Sequence, residues 1–224
     1  MGLFDKFKKK PEETVNEEGE KRAETVGWNA IESAFEKIYP GQKNPKHYGT
    51  LISWRFGGND PLDGISIYEA DEYWHFVTYG LSELYEKQSE DKGISGFGME
   101  FTLKLKKDSY DDEEAEIRCI CGVLQSIARI TFSKGEIFKA FEYLYTGQKE
   151  GMDANRKSNI TGFITVSEPK IEEIDTPNGK VKFVEMIGVT DNELQKIISK
   201  EIDVKELYSK LGNDITDYNR ASIY

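Results

Sequence analysis

The clearest pattern along the chain is a strict alternation of apolar and polar positions over Gly96–Lys107. A period of two predicts a β-strand with one face in the core and the other face in water. The face predicted to be buried carries Phe97, Met99, Phe101, Leu103 and Leu105, and the face predicted to be exposed carries Gly98, Glu100, Thr102, Lys104 and Lys106.

Shorter apolar runs, rich in aromatic and β-branched residues, predict further strands. One more run, Ile137–Tyr145, fits a strand or a helix, and its periodicity does not decide between them. The Asn178-Gly179 pair favours a tight reversal of the chain. The predicted strands are Tyr48–Phe56, Ile65–Tyr68, Tyr73–Tyr79, Ile160–Val166 and Val181–Val189.

Apolar residues at helical spacing predict a first helix over Trp28–Tyr39, which Pro40-Gly41 ends. A second apolar stripe, from Ile117 to Ala128, predicts another helix that follows an acidic connection. Both stripes are one-sided, so each helix is expected to pack one face on the rest of the domain.

Two capping motifs predict shorter helices near the end of the chain. Thr190–Glu193 has the form of a capping box, and Asp203–Glu206 resembles it, with Gly212 as the end of that helix. Short strands therefore mix with dispersed helices along the chain. This order predicts the α+β class, with a mixed, largely antiparallel sheet and flanking helices.

Residues 1–26 differ from the rest and are predicted to be a flexible basic and acidic tail and linker, followed by one domain over residues 27–224. Met1–Lys10 combines Leu and Phe with several Lys, so contact with an anionic membrane surface is an alternative that we favour less than a frayed tail. Pro11–Glu20 carries five Glu and is typical of a solvated linker.

The chain has 224 residues, a net charge of −11 and 38% hydrophobic residues, which indicates a folded domain rather than a disordered one. An acidic surface repels phosphate backbones, which argues against direct binding of nucleic acid, and it attracts a basic protein instead. No apolar run approaches the roughly 20 residues of a membrane span, and no signal peptide is visible. Cys119 and Cys121 are predicted to be buried free thiols, which fits a cytoplasmic location.

Motifs for catalysis are weak. The two histidines are His47 and His75, and a lone strand histidine is more often structural than a catalytic base. A zinc site from these histidines and nearby acids stays open, but the spacing matches no zinc-binding pattern. No nucleophile elbow, phosphate loop or dinucleotide fingerprint is found, so no cofactor is expected. A carboxylate-dependent hydrolase is a disfavoured alternative, because 41 acidic residues make chance pairs inevitable.

The aromatic residues between Tyr68 and Tyr85 indicate protein binding instead. Tyr and Trp are favoured anchors at interfaces, and on a strand some of them pack internally while others contact a partner. Six acids over Asp108–Glu116 form a second candidate surface, which would complement a basic partner. The candidate contact residues are Tyr73, Trp74, His75, Tyr79, Tyr85, Asp111, Asp112, Glu113 and Glu114.

Several segments, in order, resemble the suppressor of fused family. The most specific is Trp74–Tyr85 (WHFVTYGLSELY), and Ser95–Thr102 (SGFGMEFT) is nearly as specific. The resemblance covers about residues 27–224. Its other segments are Trp28–Ile31, Tyr39–Gly41, His47–Thr50, Gly58–Ile65, Asp175–Gly179, Ile187–Leu194 and Ile215–Asp217.

The resemblance implies a mixed α/β binding domain without catalysis. Animal members of the family carry a further C-terminal domain and clamp a transcription factor of the Hedgehog pathway, a role that we do not expect of so short a chain. Shorter bacterial members are thought to act as immunity proteins beside secreted toxins, often nucleases. We therefore expect a cytoplasmic immunity protein that neutralises a cognate toxin by direct binding. The alternative is a regulatory adaptor that adds a strand from an intracellular protein or peptide to its sheet edge.

Overall fold

The computed structural model describes residues 25–52, 54 and 57–224. Over this range the chain forms four α-helices and nine β-strands. The helices are α1 (Val26–Ile38), α2 (Glu113–Lys134), α3 (Asp191–Ile198) and α4 (Val204–Leu211). The strands are β1 (Lys46–Gly49), β2 (Gly64–Glu69), β3 (Tyr73–Tyr79), β4 (Ile94–Lys106), β5 (Tyr143–Tyr145), β6 (Ile160–Ser167), β7 (Glu173–Thr176), β8 (Gly179–Thr190) and β9 (Ile215–Thr216).

The described strands form one mixed sheet in the order β1-β2-β3-β4-β8-β6-β5. The central strands β4 and β8 are parallel, with Phe101 opposite Val184, and β9 extends the parallel pairing along β4. The other pairs are antiparallel, and β7 reverses into β8 at the predicted Asn178-Gly179 turn. The predicted α+β class, with a mixed and largely antiparallel sheet, is confirmed.

One face of the sheet packs against α2. Alternate residues of β4, from Met99 to Leu105, point to this face, because side chains of a strand alternate between its two sides. They meet the apolar stripe that the sequence predicted between Ile117 and Ala128. The contributions of β4 and α2 to this core are Met99, Phe101, Leu103, Leu105, Ile117, Ile120, Cys121, Leu124, Ile127 and Ala128.

The opposite face of the sheet is covered in two halves. Phe35 of α1 packs over β2, β3 and the start of β8, in a core that includes Phe183. Leu194 of α3 and residues of α4 pack over β6 and the end of β8, in a core that includes Ile187. Glu185 lies between these two halves on the same face of β8. We call this junction between the half covered by α1 and the half covered by α3 and α4 the seam.

The short helices near the end of the chain begin where their sequences predict. Thr190 and Glu193 form the capping box: the Thr hydroxyl accepts from the backbone of Glu193, and the Glu carboxylate accepts from the backbone of Thr190. Asp203 caps α4, and Gly212 ends that helix in a left-handed conformation with φ of 72°. Local sequence chemistry therefore sets the positions of both helices.

The strand predicted over Tyr48–Phe56 is wrong in its extent. It ends at Gly49, which pairs with Gly64, the first residue of β2, so that β2 offers no partner beyond this point. Leu51 and Ile52 lie in an exposed bend. Residues 53, 55 and 56 lie outside the described residues.

The ambiguous run Ile137–Tyr145 is mostly irregular. Phe141 has a positive φ of 67°, which interrupts an extended conformation. The three residues of β5 then pair with β6. A short strand after an irregular loop explains why neither the strand period nor the helix period dominates this run.

The prediction that one face of β4 lies in water is also wrong. The side chains of Glu100, Thr102 and Lys104 are as buried as their apolar neighbours. Hydrogen bonds to polar partners offset the cost of this burial. Glu100, for example, accepts from the hydroxyls of Thr78 and Ser82, both at 2.7 Å.

The predicted tail over residues 1–26 lies outside the described residues, except for Thr25 and Val26. Val26 is the first residue of α1. A single domain over residues 27–224 stays a prediction.

Candidate protein-binding surfaces and a buried charged cluster

An open edge of the described sheet lies at β5, the last strand in the order. The backbone N–H of Thr165 in β6 donates to the carbonyl of Glu142. Because hydrogen-bonded and non-bonded pairs alternate in an antiparallel ladder, the backbone groups of Tyr143 and Tyr145 point toward the open side. An edge with outward backbone groups is a template for the addition of another strand.

A shallow groove of about 410 Å³ runs beside this edge. Of the rings that line it, Phe138 is buried, whereas Phe141 and Tyr143 are 43% and 44% exposed. The exposed carboxylate of Glu142 lies among these rings. The groove therefore suits an extended segment that presents apolar and basic side chains. Its lining residues are Ile130, Glu136, Phe138, Phe141, Glu142, Tyr143 and Leu144.

The other end of the described sheet is a poorer template. β1 has four residues, and Pro45 precedes it. Its Lys46 ammonium and its Tyr48 hydroxyl both bind the carboxylate of Glu114 in α2. Short strands, Lys side chains and neighbouring prolines are ways in which proteins protect a sheet edge. The two edges therefore differ in their readiness to accept a partner strand.

Three of the predicted contact residues on β3 are buried. Trp74, His75 and Tyr79 have at most 3% of their surface exposed, so a partner cannot reach them in this structure. The interpretation of these three as surface anchors is therefore corrected, because β3 is covered on both faces. Tyr73 and Tyr85 are half-buried and stay predicted contacts.

The acidic segment before α2 divides into exposed and structural carboxylates. Asp111 and Glu113 are exposed. Asp112 caps α2, because its carboxylate accepts from the backbone N–H of Ala115 at 2.9 Å. Glu114 holds β1, as described above. Asp111 and Glu113 are thus the two of the four predicted acids that a partner could bind without disturbing the fold.

A cluster of buried charged residues lies at the seam. The ammonium group of Lys104 donates to Glu168 at 2.7 Å and to Asp214 at 2.6 Å. Glu185 accepts from the backbone N–H of Lys104 at 3.0 Å. The Nε2 atom of His75 lies 3.4 Å from a carboxylate oxygen of Glu168 and 3.6 Å from one of Glu185. We call these five residues the seam cluster.

The charges of the seam cluster follow from burial and from their neighbours. Burial raises the pKa of Glu185 to about 7. Burial would also raise the pKa of Glu168, but the hydrogen bond with Glu185 and the nearby His75 and Lys104 outweigh it and hold that pKa below its usual range. Burial would lower the pKa of Lys104, but Glu185, Glu168 and Asp214 outweigh it and raise that pKa. Lys104 and Glu168 are therefore an ion pair.

Of this cluster, sequence reasoning had singled out only His75: as a partner contact, as a structural residue, or as one ligand of a zinc site with His47 and nearby acids. One signal was available for Glu185, which is a lone acid inside the apolar run Val181–Val189. The hydrolase alternative needs a pair of carboxylates that a substrate can reach. Glu168 and Glu185 form a pair, but their side chains are fully buried, so they do not meet this requirement.

Two further expectations concern the cysteines and membrane-spanning helices. Cys121 is buried, as predicted, and Cys119 is partly exposed; both are free thiols. In the described part of the chain, none of the helices has the length and apolar character needed to cross a bilayer.

Comparison with known families decides the relationship of this chain. The model of the family described as Suppressor of fused protein (SUFU) matches residues 58–221. The chain belongs to the suppressor of fused family. The matched range includes β2 to β9, so both the β5 edge and the seam cluster lie within this SUFU domain.

Curated relatives of this SUFU domain include the suppressor of fused homologs of Homo sapiens and Mus musculus. Each is 30% identical over 181 residues, which cover 75% of this chain and 36% of the relative. The chain therefore spans about a third of the length of these relatives.

Solved structures show the same fold. One is the crystal structure of the Sufu–Fu complex, with a TM-score of 0.78 and 25% identity, covering 88% of this chain and 92% of the other. Another is Drosophila Suppressor of Fused, with a TM-score of 0.77 and 25% identity, covering 88% of this chain and 51% of the other. The family is one of binding and regulatory proteins.

Proposed function

We propose that this SUFU domain is a cytoplasmic immunity protein that binds a cognate toxin and neutralises it without catalysis. The observation that carries the proposal is the open β5 edge with its groove. Phe141, Tyr143 and Tyr145 expose large side chains beside a strand that lacks a described neighbour on one side. Such an edge binds an extended segment through backbone hydrogen bonds, and the rings beside it add specificity.

Charge supports a basic partner such as a nuclease. The net charge of −11 speeds the approach of a basic surface, because long-range attraction raises association rates. Glu136 and Glu142 line the β5 groove, and Asp111 and Glu113 are exposed at the start of α2. A toxin whose active groove is basic would meet complementary charges at these places, and occupation of that groove would block its substrate.

Co-expression with a toxin encoded beside the gene tests the proposal. Cells that produce the toxin should survive with the wild-type protein and should not survive with Tyr143→Pro, which removes the outward backbone donor at the edge. Ile198→Ala is the matched control, because Ile198 is also exposed, at 39%, but lies on α3. Survival with Tyr143→Pro at wild-type levels of folded protein would remove the β5 edge from the proposal.

A second pair of variants tests the acidic contact. The double variant Asp111→Lys/Glu113→Lys should weaken binding of the toxin, measured by calorimetry, because it replaces attraction by repulsion. Asp71→Lys/Glu72→Lys changes the net charge by the same amount at the exposed turn before β3. Equal weakening by both double variants would show that net charge acts, rather than a contact at Asp111 and Glu113.

A regulatory adaptor is the second candidate function. It is favoured by the similarity to the Sufu–Fu complex, in which a protein of this fold is bound to another protein. The two candidates differ in one measurable respect. An immunity protein restores the growth of cells that make the toxin, whereas an adaptor binds its partner through the same edge without protecting those cells.

A further inference from the structure

We propose that His75, Glu168 and Glu185 of the seam cluster bind a divalent transition-metal ion, with Zn²⁺ as the best fit. The ion would form a structural site between the two halves of the sheet face opposite α2, which we call the second face. One nitrogen and two carboxylate oxygens lie within 4.8 Å of one another. Imidazole and carboxylate groups are common ligands of Zn²⁺. The site is separate from the β5 edge and does not depend on the proposed function.

The distances within the cluster fit a shared ion better than direct hydrogen bonds. The separations from His75 Nε2 to Glu168 and Glu185 are 3.4 and 3.6 Å, which is longer than a good hydrogen bond. Two ligands of a tetrahedral Zn²⁺, each at about 2.0–2.1 Å, are separated by about 3.3 Å. Both distances from His75 Nε2 are therefore close to the spacing of two ligands around one ion, and the two carboxylate oxygens lie within 4.8 Å of each other.

His75 is oriented as a metal ligand would be. Its Nδ1 atom lies 2.7 Å from the hydroxyl of Tyr39, which fixes the plane of the ring. Its Nε2 atom is fully buried, is aimed at the two carboxylates and has no hydrogen-bond partner. Metal-binding histidines commonly make such a hydrogen bond through the second ring nitrogen. An orphaned buried nitrogen is costly, and an ion would satisfy it.

The charges of the cluster leave room for a dication. Three carboxylates, those of Glu168, Glu185 and Asp214, lie within 3.4 Å of the single ammonium group of Lys104. A bound divalent ion would take the place of the proton between Glu168 and Glu185, and it would balance the two negative charges by which the three carboxylates then exceed Lys104. Lys104 would then keep its contact with Asp214 at 2.6 Å and give up its place beside Glu168 to the ion. Compensation of buried charge is therefore the driving force for binding.

The surroundings of the cluster indicate a structural role for the ion. Its ligands come from β3, from β8 and from the residue that follows β6, so an ion would join the two halves of the second face. The ligand side chains are fully buried, which leaves no open position for a substrate. Asp214 is the member of the cluster that reaches solvent, at 20% exposure of its side chain, and it marks the side from which an ion would enter.

Metal analysis of the purified full-length protein tests this site. The protein is stripped with a chelator, incubated with ZnCl2, passed through a desalting column and analysed by mass spectrometry for zinc. We expect one zinc per chain and a rise in the melting temperature of at least about 5 °C at a hundredfold excess over Kd. Failure to retain zinc, or retention without a change in melting temperature, would overturn the proposal.

Variants locate the ion. Glu185→Gln keeps the shape of the side chain, removes the charge and should weaken zinc binding by at least about tenfold. Glu100→Gln is the matched control, because Glu100 is equally buried on the same face but does not belong to the cluster. Zinc binding that is unchanged in Glu185→Gln, or lost equally in Glu100→Gln, would place the ion elsewhere and contradict the assignment.

A readout on the wild-type protein covers the case in which Glu185→Gln does not fold. The chain has two histidines, so both imidazole rings can be followed by nitrogen-15 NMR. Zinc should shift the Nε2 signal of His75 and leave the signals of His47 unchanged, because His47 lies near Ser66 at 3.1 Å, outside the cluster. A shift confined to His47 would show a surface site and would refute binding at the seam.

Discussion

From Met99 to Leu105, the two faces of the central strand β4 are equally buried and chemically opposite. Leu103 has 0% of its surface exposed and packs under α2, whereas Lys104, the next residue, has 1% exposed and points to the seam. The first face is held by contact between apolar groups, which tolerates small changes of shape. The second face is held by a network in which each charge depends on a partner. The two sides of one strand are therefore expected to differ in their sensitivity to mutation, although they are equally buried.

The largest effect is expected from Lys104→Met. The variant leaves Glu168 and Glu185 buried without their ammonium partner, and such a loss costs about 4 kcal/mol of the free energy of unfolding. Urea denaturation measures it. Lys106→Met is the control on the same face of the strand: its side chain is 45% exposed and paired with Asp217, so it should cost about 1 kcal/mol or less. Equal costs for the two variants would mean that the seam does not depend on the cation.

Leu103→Ala tests the apolar face at the adjacent position. It removes buried methyl groups and leaves a cavity beside α2, and we expect a loss of about 3 kcal/mol. Leu103→Met, which conserves volume, should cost less than about 1.5 kcal/mol. The same urea experiment applies. A loss from Leu103→Met as large as that from Leu103→Ala would show that this face is as exacting as the seam.

The stability that Glu100 contributes on the polar face of β4 depends on pH, which distinguishes this face from the apolar one. Burial raises the pKa of Glu100 to about 7, against the opposing hydrogen bonds from Thr78 and Ser82. The folded protein therefore binds this proton more tightly than the unfolded chain does. This stabilisation is complete below the pKa that the Glu100 carboxyl has in the unfolded chain, and it is lost as the pH rises through about 7, the pKa in the folded protein.

Between pH 5 and pH 8 the free energy of unfolding of the wild type should fall by about 2 kcal/mol relative to Glu100→Gln. Denaturant curves at each pH measure the difference between the two proteins, so that other titrating groups cancel. A difference that is constant across this range, or that grows with pH, would contradict a raised pKa.

The smallest effect compares two buried threonines. The hydroxyl of Thr102 donates to Glu185 at the seam, so Thr102→Val should cost about 1 kcal/mol. The hydroxyl of Thr131 on α2 is buried without a hydrogen-bond partner, so Thr131→Val should be neutral or stabilising. Thermal unfolding of the two variants checks this. Equal losses of stability from both substitutions would contradict a stabilising role for the hydrogen bond from Thr102 to Glu185.

The apolar face could be predicted from the sequence, and the seam could not. The alternation from Phe97 to Leu105 and the stripe of α2 are local patterns, and the structure confirms both. The same alternation led to the wrong expectation for Lys104, because a polar residue at every second position normally faces water. Whether it does so depends on what covers the strand, and here α1 and the residues around Glu168 do.

The candidate sites show the same limit. Glu168 and Glu185 meet His75 because β8 crosses to lie beside β4, a pairing that no local pattern encodes. The aromatic residues of β3 drew attention as contacts, but the sequence could not show that Trp74 and Tyr79 are covered on their two faces. The sequence did not reveal the β5 edge, because this strand follows a loop and its three residues are too few to show a period.

The parallel pairing of β4 with β8 also shapes how the chain is made. Thr102 and Glu185, which meet across this pair, are 83 residues apart in sequence. Contacts of such long range form slowly, since a large loop must close before they add any stability. During synthesis, the hairpins up to β4 emerge well before β8 and expose a long apolar strand with an unpaired side. Such species tend to self-associate, so slower translation after β4 should lower the soluble yield of this protein.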